Sequence, residues 1–308
     1  MFAGISPSGQ QFVNSVNRIQ SVLNTAEQQI SSGVNLNQPS DAPDEVSPVL
    51  QLLTQVQANQ AMQTNLTAVQ GNVNAAESAL SSSVDLLQSA STLASEATGP
   101  SETAATRSTL AGSVQALLQE MVSNSQTAVN GQYVFSGDQS GSPLYQLDLN
   151  APNGVDKLGV ATNTNMVQLP GGGQVSVTLT ANSVFDDSDS TGAPTANNAF
   201  AALNGLRVAL LNNDTTGIDS SIAALASAST YMNTQLAQIG NAQSTLSSAQ
   251  TDAQNDSVQL QTQLSSERDA NMTEAITALT QSQTQLQAAL SAQAKMPTTT
   301  LFDFLPSS

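Results

Sequence analysis

Cysteine, histidine and tryptophan are absent from the 308 residues, and aromatic and charged side chains are scarce, at 3% and 9%. Without cysteine there is no disulfide framework and no thiol nucleophile. Without histidine there is no imidazole base, so serine and cysteine triads and Cys/His metal sites are excluded as well. Charged residues fall well below the roughly 25% of ordinary globular chains, so polarity rests on Gln, Asn, Ser and Thr. Basic residues number only 6 against 23 acids, for a formal net charge of −17. No basic patch can form, and nucleic acid and anionic membrane surfaces are poor partners for such a chain. No apolar run reaches the length of a membrane span, and the basic-then-apolar pattern of a cleaved secretory signal is missing. If the protein is exported, the expectation is a route without signal cleavage.

What remains is long helical text with a narrow apolar seam. After a first sixteen or so residues read as flexible, with Gly4, Pro7 and Gly9, the apolar positions Phe12, Val16, Ile19, Leu23, Ala26 and Ile30 alternate steps of four and three. That is a heptad stripe, made to meet another helix. Gly33 can take the left-handed cap conformation that ends it. The connector "SGVNLNQPSDAPDEVSP" follows. Ser40 and Asp41 are good N-caps, and Asp44 and Glu45 suit the positive end of a helix start. Pro48 leaves a second start open, with Ser47 as cap.

A second helix carries Leu52, Val56, Leu66, Val73, Leu80, Val84, Leu87 and Ala94, and "TGP" from Thr98 to Pro100 closes it. Some forty residues of helix span roughly 60 Å. A third seam holds Leu110, Val114, Leu117, Met121 and Ala128. Then the text changes. "AVNGQYVFSGDQ", Ala128–Gln139, brings Tyr133 and Phe135 between glycines, after more than a hundred residues without an aromatic. "LPGGG" reads as a hairpin turn, and "QVSVTLT", Gln174–Thr180, alternates polar and apolar as a half-buried strand does. Helix returns after about Ala199 with Leu203, Leu206 and Leu210, then Ile222 and Leu225. A long seam follows from Met232 through Leu236, Ile239, Leu246, Ala253, Leu260 and Leu264. The frame slips near Arg268, like a stutter, and resumes at Met272, Ile276, Leu279, Leu286 and Leu290 up to Pro297.

The expected fold is therefore mainly α: an elongated, coiled-coil-like helical rod formed by the N- and C-terminal halves, with a small β-rich insert in the middle. Residues 1–40 and 266–308 form the terminal helical part, 41–140 and 200–265 the inner helical part, and 141–199 the insert. The N-terminal helix pairs with the C-terminal one, and helices two and three pair with the return segment. Seams so rich in Gln and Ser make a weak two-helix pair, which points to completion by neighbouring molecules. The terminal contact surface is assigned to Phe12, Val16, Ile19, Leu23, Ile30, Met272, Ile276, Leu279, Leu286 and Leu290. The tail residues Leu301, Phe302, Phe304 and Leu305 form a docking element.

Three stretches hint at chemistry. "DSDSTG", Asp187–Gly192, opens like a calcium loop, but Asn198 stands where a bidentate Glu belongs and Pro194 interrupts it, so a solvated acidic turn is the better reading. "PGGGQ" lacks the Lys and Ser/Thr of a phosphate cradle. Glu267 and Asp269 are carboxylates on a helix without a pocket. No catalytic residue, cofactor or metal site is expected, and the chain is not read as an enzyme.

Three motifs carry a resemblance. "SGVNLNQPSDAP" is similar to the S-G-x-x-[IL]-x-x-P-S-D-D-P signature of the bacterial flagellins and their hook-associated relatives. "VNGQYVFSGDQ" resembles their N-G-x-Y-x-F-[SG]-G. "LSSERDANMTEAITALTQSQTQLQAALSAQAKM" follows their C-terminal pattern. The likeness covers nearly everything outside about 141–200. Ala42 departs from it where an acid is usual, and Pro48 where Arg is frequent. The "LFDFL" ending and the short insert resemble the members found at the hook–filament junction. The resemblance implies a structural subunit of the bacterial flagellum, exported by the type III route and working as an adaptor ring at that junction. It also implies as partners other copies of itself, the neighbouring hook-associated junction protein, flagellin, and an export chaperone gripping Met272–Leu305. Filament flagellin is the nearest alternative. A signalling coiled-coil hairpin, also rich in Ala, Ser and Gln, is the alternative from another class, and the β excursion counts against it because such hairpins turn tightly.

Overall fold

A computed structural model describes residues 7–35, 43–99, 101–164, 166–177 and 179–295. The helices are α1 (Pro7–Ser32), α2 (Pro43–Ala97), α3 (Ala104–Ser125), the short α4 (Ala181–Val184), α5 (Ala199–Leu211), α6 (Thr215–Arg268) and α7 (Met272–Ala294). Between α3 and α5 lie three two-stranded antiparallel hairpins: β1 (Ala128–Val129) with β2 (Gln132–Tyr133), β3 (Tyr145–Leu147) with β4 (Val155–Lys157), and β5 (Met166–Gln168) with β6 (Gln174–Ser176). The chain is mainly α with a small β insert. It forms two compact units. One comprises residues 1–58 and 256–308, the other residues 59–255.

Several starts and stops differ from expectation for local reasons. Helix α1 begins at Pro7 and not after residue sixteen, because proline is well suited to the first helical position, where its missing N–H is unpaired anyway. Helix α2 begins at Pro43 and runs through Pro48, so the alternative start with Ser47 as cap does not occur. Pro48 is the sixth residue of α2, past the first four unpaired donors, and removes the single rung to the Asp44 carbonyl within the second turn. Ser40 and Asp41 lie outside the described residues. Gly33 ends α1 as expected, at φ +72° with its N–H on the Gln29 carbonyl at 2.9 Å. The slip near Arg268 is a true break. Helix α6 stops there, and Asn271 caps α7 by accepting from Thr273 and Glu274 N–H groups.

In the unit formed by residues 59–255, the heptad positions are core. Leu66, Val73, Leu80, Leu87 and Ala94 of α2 and Leu203, Leu206 and Leu210 of α5 are buried. So are Met232, Ile239, Leu246 and Ala253 of α6. In α3, Leu118 is the fully buried leucine, and the expected Leu117 lies at the core's edge. Helix α3 packs along α5. Side chains tie α2 to α6: Gln63 Nε2 donates to the Ala253 carbonyl at 3.0 Å, and Gln243 Nε2 donates to Glu77 at 2.6 Å.

The opening aromatic stretch forms a tight hairpin. Asn130 and Gly131 both have positive φ, 53° and 78°, which is the type I′ geometry that matches strand twist. The chain then delivers Phe135 to a cluster with Phe185 (5.3 Å, edge-on), while Phe200 stacks on Phe185 at 5.8 Å and meets Tyr145 at 5.3 Å. Gly137, at φ +51°, is obligatory there, since a side chain would run into the Asn163 carbonyl. "LPGGG" is a turn, with Gly172 N–H on the Leu169 carbonyl. The strand read over Gln174–Thr180 pairs only through Ser176, although Val175, Val177 and Leu179 keep to the inward face and Gln174 and Ser176 to the outward one.

One buried carboxylate knits the insert to α5. Asp186 accepts from Tyr145 Oη (3.0 Å), Asn153 Nδ2 (3.0 Å), Asn198 Nδ2 (2.8 Å) and Lys157 Nζ (3.4 Å). Burial first, and the Asp186 charge second, push the Tyr145 hydroxyl far up, so it stays a donor. Asn198 serves twice, because its Oδ1 also caps α5 by accepting from Ala201 N–H at 2.9 Å. The acidic turn is spoken for. Asp187 accepts from Thr195 and Asn197, and Asp189 from Thr191 and the Ala193 N–H. Among the described residues no cluster of acids could hold a metal ion.

Candidate assembly surface on the terminal helices

Helices α1 and α7 pack against each other, as the matching stripes predict. Their register is set at a small clamp beside the α6–α7 break. The Asn35 N–H donates to the Arg268 carbonyl at 2.7 Å, and the Ala270 N–H donates to the Gly33 carbonyl at 3.0 Å, forming an antiparallel bridge of Val34 with Asp269. Gln29 Nε2 reaches Asn35 Oδ1 at 2.7 Å. Asp269 accepts from Ser265 Oγ at 2.7 Å and from Arg268 Nε at 3.0 Å. These two bonds, the serine hydroxyl first, hold its carboxyl below the ordinary range. A general acid or base working near neutrality needs the opposite shift, so Asp269 is poorly suited to that role. No sequence signal for the clamp was read beyond Gly33. The cue available was the loss of heptad phase at Arg268, opposite a helix-ending glycine.

The seam between α1 and α7 is incompletely covered. On α1, Ala26 is buried, while Phe12, Val16, Ile19, Leu23 and Ile30 are each half-buried. On α7, the side facing α1 is Ala275, Leu279, Ser282, Leu286 and Ala289, in which only Ala275 and Ser282 are buried. Three of the residues assigned from sequence to the α7 contact stripe lie elsewhere. Met272, Ile276 and Leu290 are 42%, 49% and 54% exposed. The reason is phase. The helix break resets α7, so that the face toward α1 alternates small Ala275, Ser282 and Ala289 with Leu279 and Leu286. The large side chains one step around the helix are left to solvent. Val13 and Val22 on α1 are also exposed, at 42% and 45%, on opposite flanks of its seam. Helix α7 therefore has two apolar stripes, one used within the chain and one open. The tail residues Leu301, Phe302, Phe304 and Leu305 lie outside the described residues.

Two family models match this chain. The bacterial flagellin N-terminal helical region matches residues 8–140, and the bacterial flagellin C-terminal helical region matches residues 222–305. The chain belongs to the bacterial flagellin family. The two matched regions contain the partners just described, α1 in the first and α7 in the second. The matches also remove the signalling-hairpin alternative. Flagellins are structural proteins of the flagellum. No curated protein sequence matches the chain. Among solved structures, the fold is similar to flagellar hook associated protein-3 from Legionella pneumophila, with 14% identity and TM-score 0.60, covering 71% of this chain and 98% of that one. It is also similar to Bacillus cereus FlgL (15%, TM-score 0.56, 70% and 99% covered) and to Xanthomonas campestris FlgL (18%, TM-score 0.57, 70% and 99% covered). No described helix is long and apolar enough to cross a membrane.

Proposed function

We propose that this flagellin-family chain is the structural adaptor subunit at the hook–filament junction, building a ring from copies of itself through the outer faces of α1 and α7. The observation that carries the reading is the open apolar stripe of Met272, Ile276 and Leu290, which α1 does not cover although α7 is otherwise paired with it. Exposed large aliphatic residues along one helix face mark an unsatisfied contact. The junction placement draws on the likeness to structures described as hook-associated protein-3 and FlgL, together with the short insert. In this reading the chain leaves the cell without signal cleavage by the flagellar export route, an export chaperone covers Met272–Leu305 before assembly, and the adjoining hook-associated protein and flagellin flank the ring. It performs no enzymatic reaction.

Deleting the gene tests the reading. The expected phenotype is intact hooks, no filaments, and flagellin monomers released into the medium. Hooks that still carry the complete junction and lack only filament would assign the chain to the filament itself.

A further inference from the structure

With cysteine absent, sulfur oxidation in this chain falls on its seven methionines. Burial sorts them. Met121 and Met232 are fully enclosed in the core, and Met62 packs partly buried against it. Met1 and Met296 lie outside the described residues. Met166 and Met272 are exposed. Their surroundings differ. Met166 is the first residue of β5, opposite Ser176 in a two-stranded hairpin of the insert. Met272 is the first residue of α7, beside the Asn271 cap, and heads the open stripe that continues through Ile276 and Leu290. One accessible thioether therefore belongs to the apolar surface on which the proposed assembly depends, and the other stands apart from it.

We infer that Met272 is a modification site for oxidants of the peroxide class, and that its oxidation in the unassembled chain disables assembly. The inference rests on the proposed self-assembly and adds its chemical control. The thioether sulfur attacks hydrogen peroxide and the O–O bond breaks. One oxygen stays on sulfur and the other leaves as water. Sulfur is oxidised by two electrons and the peroxide is reduced by two, so no further reactant enters. The sulfoxide formed is polar and chiral where the thioether was flexible and apolar. On an exposed position of the single chain that change costs little. In a contact between copies it buries a strong acceptor with no donor opposite it. Assembly in turn covers Met272 and slows its oxidation.

Treatment of the full chain with hydrogen peroxide, read by sedimentation velocity and by peptide mass spectrometry, tests this. Three variants accompany the parent: Met272→Leu, which keeps the volume and removes the sulfur, Met272→Gln, which is polar without any oxidant, and Met166→Leu. In the parent, peptides holding Met272 and Met166 should gain one oxygen before those holding Met121 and Met232. Assembly should then weaken by about tenfold or more, the loss of one such buried side chain. Met272→Leu should assemble before and after treatment, Met272→Gln should assemble as poorly as the treated parent, and Met166→Leu should lose assembly on treatment as the parent does. A treated parent that assembles like the untreated one overturns the inference. So does a Met272→Leu chain that loses assembly on treatment, or a Met272→Gln chain that assembles normally. If the untreated parent does not assemble, the self-assembly reading itself fails and takes this one with it.

Discussion

The terminal unit and the inner unit are written in the same heptad language, yet they fold to different degrees of completion. In residues 59–255, leucine, valine, methionine and phenylalanine side chains from α2, α3, α5, α6 and the insert converge on one core with exposures near zero. Among described residues of the terminal unit, the buried apolar side chains are only Ala26, Val49, Leu264 and Ala275. A helix pair can shield one stripe on each member, whereas a multi-helix cluster capped by aromatics surrounds each side chain on several sides. The number of neighbours, more than the sequence pattern, sets how much stability a stripe delivers.

The contrast can be tested from the strongest effect downward. Phe200→Ala, at the centre of the aromatic cluster, should destabilise the inner unit by about 3–5 kcal/mol, measured by denaturant unfolding. A loss under about 1 kcal/mol would show that the cluster is loosely packed. Asp186→Ala strips four donors of their acceptor and should cost about 2–3 kcal/mol, with the loss centred on the insert by hydrogen exchange. In the terminal unit the ordering of effects inverts. Ile276→Asp and Leu290→Asp should change monomer stability by no more than about 0.5 kcal/mol while abolishing assembly by sedimentation, and a monomer that unfolds instead would show that the stripe is internal core.

The smallest effect concerns acid. Backbone N–H groups, Thr162 first, hold the Asp138 carboxyl below its ordinary 3.8, and the Thr191 hydroxyl does the same for Asp189. Both groups bind fewer protons folded than unfolded near that value. Their contribution is therefore fully present above pH 3.8 and fades as pH falls through the lower folded values. Carboxyl carbon shifts followed by NMR should titrate below 3.8, with no change between pH 8 and 5. A titration at or above 3.8 would mean these turns are open in solution.

Reading a periodicity reveals which helix faces are apolar: Leu66, Leu80 and Leu246 lie in the core, and the Phe12–Ile30 stripe is partly buried. The cap at Gly33 was legible too, because backbone sterics alone favour glycine at positive φ. Two long-range features were not legible. The aromatic cluster joins residues 135, 145, 185 and 200 across loops, and the Asp186 hub draws donors from three separate segments. Neither has a local signature.

The candidate surface was half legible. The α1 stripe and Leu279 and Leu286 are half-buried on two helices that pack together. Met272, Ile276 and Leu290 continue the heptad count across Arg268 as if through a stutter, but the helix breaks at Asp269–Asn271 and leaves them exposed. By itself, then, the sequence determined the elements, their apolar faces and the family, since these depend on neighbours a few residues apart and on backbone geometry. Tertiary structure decided which of two apolar faces α7 turns toward α1. That outcome follows from helix phase at a contact between segments far apart in the chain.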